Sequence, residues 1–207
     1  MVRRRALALL GGSGIAWATW RRDARAAVPA ASADGFVQAL TARVLDILRD
    51  PGLSSEERLG RVDREVSAAF ALERIARITL GRYWKTATPA ERAEFVALFK
   101  ASVLATYSRR LGELQGRRLR IAGNQPSGDQ VSVESYLEGG GAPVRLDWRL
   151  TPADGGWQVL DVVVEGVSLV VTYRNEFATV IEQGGGRVSV LIGALRERSQ
   201  AKDQRSA

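Results

Sequence analysis

The sequence predicts an α+β fold: helices packed on one face of an antiparallel sheet of about four strands. Three observations predict it. From Phe36 to Tyr107 apolar residues recur at helical spacing. Between residues 117 and 166 they alternate with polar ones, and after Ser168 the helical spacing returns. The alternating segments are joined by short connections rich in Gly, Pro and Asn, which suit antiparallel neighbours and are too short for parallel crossovers.

The first helix is expected at about 36–49, on Phe36, Leu40, Val44 and Ile47, and Asp50-Pro51-Gly52 ends it. Ser54 and Glu57 have the spacing of a capping box and open a second helix through Leu59, Val62, Val66 and Phe70. A third runs from Leu72 to about Tyr83 through Ile75, Ile78 and Leu80. The clearest start in the chain is TPAE, with Thr88 as cap, Pro89 in the first helical position and Glu91 closing the box. Phe95, Phe99, Val103 and Tyr107 follow as a ladder towards Leu111, with Gly116 as the expected stop. Strands are expected at 117–123, 129–138, 143–151 and 157–166. The last of these is apolar on both sides through Val162, Val163 and Val164, so it is covered on both. A helix from Ser168 aligns Leu169, Tyr173, Phe177 and Ile181, and Gly184-Gly185-Gly186 breaks it. Val188, Leu191, Ile192 and Leu195 mark a short final helix before a frayed polar tail at 198–207. Residues 34–197 are read as a single domain.

The N-terminus is a separate object. Arg3, Arg4 and Arg5 precede an uncharged run from Ala6 to Trp20, and Ala24-Arg25-Ala26 has a small-x-small pattern. This is the layout of a secretory signal cleaved after about Ala26, followed by a linker at 27–33. An uncleaved anchor is the alternative, although 15 uncharged residues diluted by glycine fall short of the roughly 20 a spanning helix needs. The paired arginines permit either general secretory or twin-arginine export. The segment also locates the charge. Residues 1–26 carry a net +5 of the total +7, so the remainder holds +2, too little for a nucleic-acid footprint.

Chemistry is sparse. With no Cys and no His, the chain has no disulfide, no thiol nucleophile, no His-based triad and no Cys/His zinc site. It has no phosphate loop, dinucleotide fingerprint or nucleophile elbow. Asp161 and Glu165 share a strand face but lie about 13 Å apart at strand rise, which favours solvated or capping carboxylates over an acid–base pair. Arg109, Arg110, Arg117, Arg118 and Arg120 form the densest basic cluster outside the leader, read first as solvated charge.

What stands out is apolar surplus, and the residues carrying it resemble a family. LGRYWKTATPAERAEFVALFKASVLATY (80–107) and GWQVLDVVVEGVSLVVTYRNEFATVIEQGG (156–185) are similar to the MlaC-type periplasmic lipid-binding proteins, the toluene-tolerance family. The pattern W-x-V-x-D-V, V-E-G-V-S, Y-R-x-x-F is its most specific part, and the Arg-rich leader leans towards the hopanoid-associated HpnM branch. The resemblance implies a monomeric periplasmic carrier without cofactor or catalysis, its helices set against a curved antiparallel sheet with a lipid cavity between. It would take a phospholipid or hopanoid between an inner-membrane lipid transporter and an outer-membrane lipoprotein or porin complex. The implied tail-lining residues are Val164 and Val167 at the V-E-G turn, Leu169, Tyr173 and Phe177 on the next helix, and Tyr83, Trp84, Phe95, Phe99 and Val103 on the facing wall. Arg174 is the implied head-group contact, and Gly166 lets the strand turn sharply into the helix. The alternative for each apolar residue is ordinary core. The alternatives for the whole are a periplasmic adaptor without cargo and a catalyst on a similar scaffold, which lacks an evident dyad.

Overall fold

The computed structural model of the chain describes residues 32–108 and 116–206, and the leader, residues 27–31 of the linker, Arg109, Arg110 and Leu111 lie outside them. The first helix, α1 (Ala33–Arg49), begins three residues earlier than its apolar spacing suggests, because the Ser32 Oγ accepts from the Gly35 amide at 3.0 Å and caps it inside the expected linker. Next, α2 (Ser55–Ala69) carries the complete capping box: Ser54 N donates to Glu57 at 2.9 Å and Glu57 N to the Ser54 Oγ at 3.2 Å. The third helix, α3 (Leu72–Leu80), stops short of Tyr83. Gly81 takes φ 57°, and residues Gly81–Trp84 tighten into a 3₁₀ turn. The helix from Pro89, α4 (Pro89–Ser108), again has its box, with Thr88 N donating to Glu91 at 2.8 Å and Glu91 N to the Thr88 Oγ1 at 3.2 Å.

The strands are β1 (Arg118–Ser127), β2 (Gln130–Glu138), β3 (Val144–Ala153), β4 (Gly156–Val164) and β5 (Val167–Ser168), paired antiparallel in that order. There are thus five strands where the alternation predicts about four. The fifth is two residues long. Glu165 and Gly166, with φ of 48° and 81°, form a two-residue turn that folds the chain back and pairs Val164 with Val167. Bulges at Ile121/Gly123 and at Leu160, opposite Arg149/Leu150, bend the sheet. The second also shifts the alternation by one: Trp157 and Val159 share a face before it, Val162 and Val164 after it. Two helices close the chain, α5 (Leu169–Gln183) and α6 (Val188–Ser206). The last is not short and does not fray at 198; it continues through the polar tail.

The helices form two groups. One apolar face of the sheet, with Val133, Leu150, Trp157 and Val159 buried, packs on Val37 and Leu40 of α1 and Ala69 of α2. A second core gathers α3, α4, α5 and α6, and the sheet contributes Leu160, the residue turned aside by the bulge. The opposite face of the sheet is an ion-pair ladder: Arg118 and Arg120 on Glu138, Arg145 on Glu134 and Asp147, Arg149 on Asp161. Two of the predicted basic cluster therefore share one carboxylate on the neighbouring strand.

The caps set a pH dependence. The Thr88 backbone N–H, then its hydroxyl, holds the Glu91 carboxyl below its usual range. Stability from this box is fully present above the ordinary value of 4.5 and is lost as pH falls through the lower folded-state value. We expect Glu91→Ala to lower the thermal midpoint at pH 7 and the gap to the parent to close towards pH 3, measured by circular dichroism melts. A gap independent of pH would show that the carboxylate does not carry the cap.

Candidate functional site

Four aromatic rings meet where α4 and α5 cross. Phe177 stands edge-on to Phe95 at 5.5 Å and to Phe99 at 6.0 Å between centroids. Tyr173 lies 5.5 Å from Phe99, also edge-on, and 5.6 Å from Phe177. Phe95 and Phe99 stack at 5.9 Å. These offset and edge-on arrangements are the favoured ones for quadrupolar rings. Phe95, Phe99 and Phe177 are buried, and Val103, Tyr83 and Trp84 pack against the same core.

At the 3₁₀ turn, arginines hold the Tyr83 hydroxyl and the Trp84 backbone. Arg82 donates to the Tyr83 hydroxyl at 2.8 Å and to Glu182 at 2.7 Å, and Arg92 donates to the Trp84 carbonyl at 2.9 Å.

A second apolar surface lies on the sheet. Leu119 pairs with Leu137 and Leu137 with Val144, while Leu146 pairs with Val164. All five sit on the face that carries Val133 and Leu150, and all are half-buried. Leu137, Val144, Leu146 and Val164 pack into none of the three apolar clusters that the described helices form. Among the described residues, the apolar face therefore runs beyond the helices that cover it. Ser135, buried beside this margin, is satisfied by donating to the Leu146 carbonyl and accepting from the Trp148 indole, both at 3.0 Å.

Asp161 anchors α5 to the sheet. It is 6% exposed, accepts from Arg149 at 2.9 Å and the Ser168 hydroxyl at 2.6 Å, and takes the Val170 amide at 3.1 Å. A carboxylate at a helix N-terminus suits the macrodipole. Its partner in the weighed acid–base pair, Glu165, accepts instead from the Arg145 amide. Neither is arranged for proton transfer, and among the described residues no three Asp or Glu gather as a metal site.

Arg174 lies elsewhere, in a cleft of about 460 Å³ between α3, the 3₁₀ turn and α5. Arg74, Arg77 and Ile78 line it from α3, Gly81 and Trp84 from the turn, then Lys85.

A model of the MlaC protein family matches residues 38–197. The chain belongs to the MlaC family. Two relatives are the toluene tolerance protein ttg2D of Pseudomonas putida, 26% identical over 128 residues, and the intermembrane phospholipid transport system binding protein MlaC of Haemophilus influenzae, 28% identical over 125. The matches cover 59% and 57% of this chain and 60% and 57% of those proteins, so it spans less than two thirds of each. A phospholipid-binding protein from Ralstonia solanacearum, solved in complex with a phospholipid, shares the fold with a TM-score of 0.75 and 30% identity. That likeness covers 83% of this chain and 98% of the other.

In this MlaC-family chain, seven of the ten implied tail-lining residues converge on one core: Tyr83, Trp84, Phe95, Phe99, Val103, Tyr173 and Phe177. Leu169 is half-buried at the start of α5, and Val164 belongs to the sheet margin. Val167 is 59% exposed, because it pairs with Val164 on an edge strand that no described helix covers. The margin residues Leu137, Val144 and Leu146 are not among the ten implied residues. Their alternation marks a strand, but which end of the face the helices leave uncovered is a tertiary fact.

Proposed function

We propose that this MlaC-family chain is a periplasmic carrier that holds a phospholipid by its acyl tails and passes it between membrane complexes. The observation that carries the reading is the phospholipid-bound Ralstonia solanacearum protein, which matches this chain over 98% of its own length. The sheet margin of Leu137, Val144, Leu146 and Val164 offers the tails an apolar wall, and the aromatic core of α4 and α5 with Val103 offers a second apolar surface. Exposing a tail to water costs about 0.8 kcal/mol per CH₂. Two chains of about sixteen carbons therefore cost on the order of 25 kcal/mol, and a carrier must replace most of that apolar environment. Such transfer makes and breaks no covalent bond, so the lack of Cys and His is no obstacle.

The partners of this reading are an inner-membrane lipid transporter and an outer-membrane lipoprotein or porin complex. The test is native mass spectrometry of the chain purified from a hopanoid-producing host, with lipid identified after release. A phospholipid adduct is expected. A hopanoid adduct would move the chain to the hopanoid branch. No adduct, after incubation with both lipids, would overturn carriage and leave an adaptor without cargo.

A further inference from the structure

Nine of the described arginines are paired with carboxylates, among them Arg43 on Glu65, Arg82 on Glu182, Arg118 and Arg120 on Glu138, Arg145 on Glu134, Arg149 on Asp161 and Arg198 on Glu176. The cleft between α3, the 3₁₀ turn and α5 gathers cations that are not so paired. Four cations line it, Arg74, Arg77, Lys85 and Arg174, and no carboxylate does. None of the four has an ion pair among the described residues. Like charges held in one concavity repel, and the arrangement is stabilised when an anion enters.

One of the four is hydrogen-bonded in place, and a second packs closely on the turn. The Arg74 Nη1 donates to the Thr151 hydroxyl at 2.8 Å, and Thr151 is buried. Arg174 lies along the backbone of Gly81, so closely that a Cβ there would stand 3.3 Å from its Nε. Gly81 thus serves twice: its positive φ ends α3, and its missing side chain makes room for the guanidinium. Arginines placed in this way present planar donor forks, which match phosphate oxygens in pairs. Ile78 and Trp84 add an apolar wall for whatever carries the phosphate. At about 460 Å³ the cleft has the size of a small-ligand pocket and is too small to seat a protein surface.

We infer that this cleft is a phosphate-binding site, formed by Arg74, Arg77, Lys85 and Arg174, which takes a phosphomonoester or phosphodiester group. The inference does not rest on lipid carriage, because free phosphate and a lipid head group present the same chemistry to it.

The experiment is isothermal titration of the delipidated full chain, and of its Arg77→Gln and Arg174→Gln variants, with inorganic phosphate, glycerol 3-phosphate and dihexanoyl phosphatidylglycerol. Both variants change exposed side chains without carboxylate partners, and circular dichroism checks their fold. Dioctanoylglycerol, which has no phosphate, is the control for tail binding. The expected result is a loss of about tenfold or more in phosphate affinity in each variant, with dioctanoylglycerol binding unchanged. If inorganic phosphate shows the loss, the free ion suffices; if only phosphatidylglycerol shows it, the source is a lipid head group. Either supports the site. Equal affinities in parent and variants would overturn it, as would tighter binding of a hexaglutamate peptide than of any phosphate compound, which would make the cleft a protein-docking surface. Failure of dioctanoylglycerol to bind while phosphate still binds would count against lipid carriage alone.

Discussion

Phe177→Ala is expected to destabilise the protein by about 3–5 kcal/mol, the range for removing a buried aromatic ring. Phe177 is 1% exposed and touches three other rings, so its loss opens a cavity that Phe95, Phe99 and Tyr173 fill only in part. For a chain of this size the thermal midpoint falls by roughly 10 °C. Urea unfolding followed by circular dichroism measures the effect, with an unchanged slope confirming that the denatured state is not the cause. The result also separates two roles. A variant within about 1 kcal/mol of the parent that no longer retains lipid would make the ring a wall of the binding space rather than core.

Val164→Asp is expected to do the opposite: leave the fold largely intact and lower lipid retention by about a hundredfold, since a carboxylate facing acyl chains is either left unpaired or forced to take up a proton. Val164 belongs to none of the packed clusters, and its neighbours across the strands are Leu146 and Val167. Lipid occupancy by native mass spectrometry, beside a circular dichroism melt, reads both effects. Full retention of lipid in a folded variant would remove the sheet margin from the site.

Both predictions turn on a distinction that periodicity alone does not draw. Helix starts were legible because their causes are local: Ser54 with Glu57, and Thr88 with Pro89 and Glu91, satisfy backbone groups within one turn. The end of α3 was less so, because Gly81 in a helical pattern is tolerated as often as it terminates. The two residues of β5 leave no period to read, and only the positive φ at Glu165 and Gly166 makes them a strand. The final helix ran past its apolar stripe because the polar residues after Arg198 are mostly good helix formers.

The candidate site divides in the same way. Phe95, Phe99, Tyr173 and Phe177 were found through helical spacing, which identifies an apolar stripe without saying whether protein or ligand covers it. The basic cleft was hidden because α3, the 3₁₀ turn and α5 supply it from positions about a hundred residues apart in sequence. The arginines close in sequence, Arg118 and Arg120, proved to be paired with a carboxylate they share.

The strand order has a consequence for how the chain assembles. Every strand pairs with its neighbour in sequence, so the sheet closes by short loops and has little entropy to overcome at each step. For α1 the case differs in part: its C-terminal half packs on the neighbouring α2 through Leu45, Leu48 and Val62, but its N-terminal half has partners far downstream, as when Asn124 donates to Asp34 at 2.9 Å across 90 residues. A chain that emerges from its N-terminus makes α1 first and buries it late. Val37 and Leu40 stay open to solvent until β1 and β2 have been delivered, which makes closure of α1 over the sheet the non-local, aggregation-exposed step of folding.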